Sequence, residues 1–227
     1  HELLEWYLNR ISNNKTLSVH TKKSQSIIIN RHLMPCIGRF KIDRICMAIV
    51  ERELFEPLQQ KLALSTLENV LSILKAAFRL AARVQLIRHN ALINCSLAEF
   101  SNQRPKVKQA RLNHKLLIQA IKRMAELNNN KQMLFILLLV HGTRIGETIA
   151  AKWEHFDYEA KLWRIPATNT KNKKEHKLPL TDTVISWLKL YKRQQVPNSP
   201  YLFPCKGIPK KHIDGNSASR IISQFAR

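Results

Sequence analysis

The run Met133 to Val140, MLFILLLV, ends in His141-Gly142 and is followed at once by Thr143-Arg144-Ile145-Gly146-Glu147. An apolar stretch of this kind reads as a buried helix, and a glycine just past its end stops the helix by taking a conformation other residues avoid. The chain is therefore expected to reverse at Gly142, with an arginine held directly against a core. The run is far too short to cross a bilayer, and the first residues show no basic-then-apolar leader, so no membrane partner is expected. A cytoplasmic, nucleoid-associated protein fits that pattern.

Upstream, helical periodicity dominates and alternation is almost absent. ELLEWYLNRI reads as a short amphipathic helix, Thr16 to Leu33 as a second that stops at Pro35 and Gly38, and Met47 to Gln60 as a third. For the fourth, Ser65 and Glu68 form a capping box ahead of NVLSILKAAFRLAARV. At about 100° per residue, Leu67, Val70, Leu71, Leu74, Phe78 and Ala81 share one face of that helix. Lys75, Arg79 and Arg83 share a separate stripe. A charged stripe is commonly just the solvated face, but this one holds three cations and no acid.

Residues 1–96 thus read as a helical domain. Between 97 and 111 periodicity fades into AEFSNQRPKVKQAR, a basic linker whose Lys106 and Lys108 suit either a strap along a polyanion or an ordinary interdomain loop. Residues 112–227 read as a second, mixed domain. Asn113 caps a helix to about Leu127, the apolar run makes the next, and a short one starts near Gly146. KLWRIPAT and EHKLPLT are strands flanking NTKNKK, Thr181 caps a helix through Tyr191, YLFP is extended, and Asn216 to Phe225 is a last helix. The expected class is mainly α with a small β-sheet.

Composition supplies the partner. Against 16 Asp and Glu stand 38 Lys and Arg, a formal net charge of +22. That imbalance favours a polyanion, through counterion release and long-range steering. A basic ribosome-associated protein and a merely basic surface compete with a DNA-binding one. Cys36, Cys46, Cys95 and Cys205 are scattered, with no zinc spacing, so neither metal nor disulfide is called for.

A guanidinium fixed at a turn donates two parallel hydrogen bonds to phosphate oxygens and stabilises the charge of a pentavalent transition state. Arg144 equally suits capping carbonyls at the helix end. Glu147, one turn on, either orients that arginine or caps the new helix.

HGTRIGETIAAKW resembles the first conserved block of the tyrosine recombinases, the phage and mobile-element integrases. WRIPATNTKNKKEHKLPLT resembles their lysine-bearing β-hairpin. LMPCIGRFKI and STLENVLSILKAAFRLA are similar to their SAM-like helical core-binding domain. The resemblance implies catalytic roles for Arg144 and for Lys171, the latter as general acid to the leaving 5′-oxygen. It places Lys75, Arg79, Arg83, Lys106, Lys108, Lys173 and Lys174 against double-stranded DNA. It also implies strand cleavage and rejoining through a 3′-phosphotyrosine without cofactor or metal, and tetramers on paired sites.

The sequence departs from the family at its second block, an H-x-x-R followed by the nucleophilic tyrosine. No H-x-x-R occurs, and none of Tyr7, Tyr158, Tyr191 and Tyr201 has the family context. The expectation is a recombinase seen without its C-terminal catalytic segment, monomeric off DNA. The alternatives are a non-catalytic DNA-binding relative and a basic RNA-binding protein.

Overall fold

The computed structural model describes residues 1–102, 113–125, 129–195 and 199–223. The chain divides into two compact units, His1–Lys108 and Gln109–Arg227.

In the first unit, α1 (Glu2–Asn13) is followed by α2 (Val19–Ile28), whose N-cap Ser18 accepts the Thr21 N–H at 3.1 Å. The second helix does not stop at Pro35. It widens into a π turn over Ile29–Leu33 and continues through Met34–Ile37. The third, α3 (Met47–Val50), does the same, with a π turn at Glu51–Phe55 and a further turn Glu56–Gln59 containing Pro57. Each π turn lies just before a proline, where the widened coil makes room for a ring that cannot donate to, and would clash with, the carbonyl four residues back. Gly38 is the C-cap of this helix, and only glycine fits there, because a Cβ would lie 2.4 Å from the Met34 oxygen.

The long helix α4 (Leu64–Arg83) carries the predicted apolar face, with Leu67, Val70, Leu71, Leu74, Phe78 and Ala81 all buried. Its start corrects the expected capping box. Ala63 is the N-cap and no side chain caps it, so Ser65 already lies inside the first turn. Leu4, Tyr7 and Ile11 from α1, Ile29 and Leu33, and Leu54 and Phe55 complete one core. The expected linker begins later than residue 97, because α5 (Leu97–Phe100) packs on this core and Phe100 stacks on Phe55 at 5.3 Å.

In the second unit, Asn113 Oδ1 accepts the Leu116 N–H at 2.9 Å and starts α6 (His114–Ala125). The apolar run forms α7 (Asn129–His141), followed by the short α8 (Ile145–Ile149). The run is not buried throughout: Met133, Leu134, Phe135 and Leu137 are, whereas Leu139 and Val140 in its last turn are exposed. Strands β1 (Phe156–Asp157), β2 (Leu162–Ile165) and β3 (His176–Pro179) form an antiparallel sheet in that order, with Trp163 opposite Leu178 and Ile165 opposite His176. Then come α9 (Asp182–Arg193), capped by Thr181 as expected, a two-stranded ribbon of β4 (Pro204–Cys205) and β5 (Ile208–His212), and α10 (Gly215–Ser223). Trp163 is fully buried at the centre, stacked on Phe156 at 5.2 Å and packed with Leu134, Leu137, Leu188 and Phe203 in one cluster. Among the described residues no helix is long and apolar enough to cross a membrane.

The face of α4 sets an expectation for stability. Phe78→Ala should destabilise the first unit by about 3–5 kcal/mol, the usual cost of emptying a buried aromatic site, whereas exposed Arg83→Ala should stay within about 0.5 kcal/mol. Urea unfolding followed by Trp6 emission measures both, and equal midpoints for the two variants contradict the assignment.

Candidate phosphate-binding site

The arginine turn is built from backbone outward. Gly142 takes φ +61° and its N–H closes the helix onto the Leu138 carbonyl at 3.0 Å. That left-handed conformation costs a residue with a Cβ about 1–2 kcal/mol. No atom lies within 4 Å of where its Cβ would be, so the demand at Gly142 is one of conformation alone.

Arg144 is the extended residue immediately before α8. Its carbonyl accepts the Glu147 and Thr148 N–H groups, both at 3.0 Å, and the Thr148 hydroxyl at 3.2 Å. Thr143 and Thr148 hydroxyls lie 2.6 Å apart and clasp the turn from the other side. Glu147 then reaches back with both oxygens, accepting the Arg144 N–H at 3.1 Å through Oε2 and the Nη1 group at 2.8 Å through Oε1. The two roles foreseen for Glu147 are therefore one: the same carboxylate caps the helix and holds the guanidinium. Its side chain is 8% exposed and that of Arg144 62%. The carboxylate is sealed in and the guanidinium faces out, with Nε and Nη2 free of protein partners among the described residues.

The turn is bolted to the sheet. The His141 ring packs its edge on Trp163 at 5.4 Å, and burial pushes its pKa down, so a neutral imidazole packs there. Beyond β2, the loop of residues 166–175 carries Lys171, Lys173 and Lys174, all exposed. Asn169 donates from Nδ2 to the Ala150 carbonyl at 3.4 Å, tying the loop to the end of α8. The buried Thr170 hydroxyl lies 2.8 Å from the Lys174 carbonyl and 3.1 Å from that of Ala167, and Lys173 takes φ +53° to turn the chain. Lys171 thus projects from a loop fixed on both sides.

The four tyrosines have different surroundings. Tyr7 lies in the first core, and Tyr158 is half-buried with a buried hydroxyl that has no hydrogen-bond partner among the described residues. Tyr191 donates to the Leu202 carbonyl at 2.8 Å, with burial raising its pKa strongly, and Tyr201 packs against His212.

On α4, Lys75 is half-buried while Arg79 and Arg83 are exposed, and among the described residues none of the three has a carboxylate within ion-pair distance. Lys106 and Lys108 lie outside the described residues. No group of three or more His, Cys, Asp or Glu that could hold a metal ion occurs among the described residues. Residue patterns alone missed the supports from Thr148, Asn169 and Thr170, which are ordinary polar residues in sequence, and the ribbon after YLFP, whose only local signal is Gly207.

Residues 110–227 match the model of the phage integrase family. The chain belongs to that family. Prophage integrase IntA of Escherichia coli (strain K12) is 22% identical over 196 residues, covering 86% of this chain and 47% of the relative. The chain therefore spans about half the length of that curated integrase. A lambda integrase dimer bound to a COC′ core site superposes with a TM-score of 0.78 at 14% identity, covering 100% of this chain and 62% of that one. The Tn1549 transposon integrase in complex with circular intermediate DNA gives 0.76 at 15% identity, covering 98% and 78%. The integrase fold, a helical core-binding domain followed by a catalytic-type domain, is thus the fold of this chain.

The Arg144–Glu147 contact has a measurable signature. Arg144→Ala and Glu147→Gln should each destabilise the second unit, and the double variant should be more stable than their sum by about 1 kcal/mol, the scale of a pair with one partner in water. Urea unfolding of the four proteins gives the coupling, and strict additivity contradicts it.

Proposed function

We propose that this chain is the DNA-gripping part of a site-specific recombinase, binding duplex core sites and holding the phosphate at which a strand is cut. The observation that carries this reading is the Arg144 guanidinium, braced from behind by a buried carboxylate and open to solvent on its other edge. A cation so fixed donates two hydrogen bonds to non-bridging phosphate oxygens and loses little freedom when charge grows on them. Lys171 takes the part of general acid, delivering a proton to the leaving 5′-oxygen, with Lys173 and Lys174 against the neighbouring backbone. The helical unit meets the duplex with Lys75, Arg79 and Arg83. The strap that follows Phe100 tracks the backbone with Lys106 and Lys108.

The nucleophile of this chemistry is a tyrosine that forms a 3′-phosphotyrosine and is displaced by a 5′-hydroxyl, and these 227 residues contain no tyrosine placed for it. The chain alone therefore binds DNA without cutting it, which is also how a purely DNA-binding relative behaves. Catalysis belongs to a version that carries the family's tyrosine segment.

One experiment separates these readings. On a nicked suicide substrate bearing the site selected from a random pool, the chain alone should form no covalent adduct. Joined to a family tyrosine segment it should cleave, with Arg144→Ala lowering the rate by about 10²–10³-fold, the range for losing one transition-state donor. Lys171→Ala should recover on a 5′-thio substrate, whose leaving group needs no acid. An adduct with the unextended chain, or thio rescue of Lys173→Ala in place of Lys171→Ala, overturns the assignment.

A further inference from the structure

The ribbon of β4 and β5 carries positive charge that the phosphate grip does not use. Pro204 pairs with His212 and Cys205 with Ile208, with a register shift between them, and Gly207 turns the chain at φ +78°. Lys206, Lys210 and Lys211 are all exposed on it, and among the described residues none has an acidic partner. The next acid along the chain, Asp214, is already engaged, accepting the Asn216 and Ser217 N–H groups at 2.9 and 3.0 Å and the Ser217 hydroxyl at 2.5 Å. Its pKa is held down by those bonds, so it stays an anion committed to the start of α10.

The base of the ribbon is rigid. The Ile213 N–H donates to the carbonyl of buried Phe203 at 2.9 Å, the Ser199 hydroxyl donates to the Pro209 carbonyl at 2.8 Å, and the His212 ring meets Tyr201 edge-on at 5.3 Å. Three lysines are thus held out on a short, anchored stalk. Keeping three like charges together without an acid among them works against stability, and a polyanion relieves that repulsion.

We propose that this ribbon is a second contact with the DNA backbone, one that supplies affinity and no sequence preference; it rests on the reading of the chain as a duplex-binding protein. Lys210 and Lys211 are neighbours on a strand and leave from opposite faces. A duplex offers matching geometry, two lines of phosphate on either side of a groove wide enough for a two-stranded ribbon. One lysine then meets each wall and Lys206 reaches forward from the turn. Pro204 to His212 contains no Arg, Asn or Gln, the planar forks that read base edges, and His212 commits its Nδ1 to the Ile213 carbonyl at 2.6 Å. What remains is point charge, for which the line of phosphates is the stronger attraction and a guanine edge the lesser one.

The test is a salt titration of binding by the whole chain to a panel of duplexes of equal length and different sequence. Each lysine–phosphate contact contributes about 0.9 to the slope of log affinity against log salt. The variant Lys206→Ala/Lys210→Ala/Lys211→Ala should lower that slope by between about 2 and 3, equally on every duplex. The corresponding triple Lys→Arg variant should keep it. Circular dichroism checks the fold, and single Lys210→Ala and Lys211→Ala variants carry the same test one contact at a time. An unchanged slope, or a loss confined to particular sequences, overturns the proposal while leaving DNA binding in place; failure of the unmodified chain to bind any duplex overturns both.

Discussion

A buried carboxylate bonded to an exposed guanidinium is the interaction on which the geometry of the arginine turn depends. Glu147 holds Arg144 twice, at the backbone and at Nη1, and is itself almost wholly out of water. An unpaired carboxylate there would be costly, so the buried acid commits the arginine to one place. Everything nearby serves that geometry: Gly142 reverses the chain, Thr148 clasps the Arg144 carbonyl, and His141 locks the turn against Trp163. The turn resembles a clamp with its fixed jaw inside the protein and its open jaw toward solvent.

Charge is distributed to match. Several of the acids are spent on local work: Asp157 on the Ala160 N–H and Arg164, Asp214 on its helix start, Glu53 on Arg39 and Arg52. Among the described residues, the cations of α4, the lysine loop and the ribbon have no acidic partner within ion-pair distance. For a chain of net +22, that arrangement places unneutralised charge on defined surfaces. Attraction to DNA through such surfaces is strong at low ionic strength and falls steeply with salt.

Much of this was legible in the residues. The apolar face of α4, the stop at Gly142, the Thr181 cap and the strands around the lysine loop follow from periodicity, a glycine and a short polar run. Two misreadings had local causes. Pro35 reads as a helix end from sequence, whereas a π turn absorbs the ring and the helix goes on to Ile37. Ser65 fits a capping pattern, but the N-cap is the apolar Ala63, two residues earlier. The dual bond of Glu147 was not readable, because one turn of spacing permits either use and only the side-chain path shows both. Strand β1 is too short, at two residues, to show alternation, and in β5 a proline and two adjacent lysines break it.

The most direct measurement of the central claim is the ¹⁵N guanidinium spectrum of Arg144 in the chain, assigned by comparison with Arg144→Lys. With Glu147 holding Nη1, rotation about the Nε–Cζ bond should be slowed, giving separate resonances for the two Nη groups that shift further when a DNA duplex is added. In Glu147→Gln the two should merge. A single averaged Nη resonance in the unmodified chain, unmoved by DNA, would contradict a braced arginine facing a phosphate.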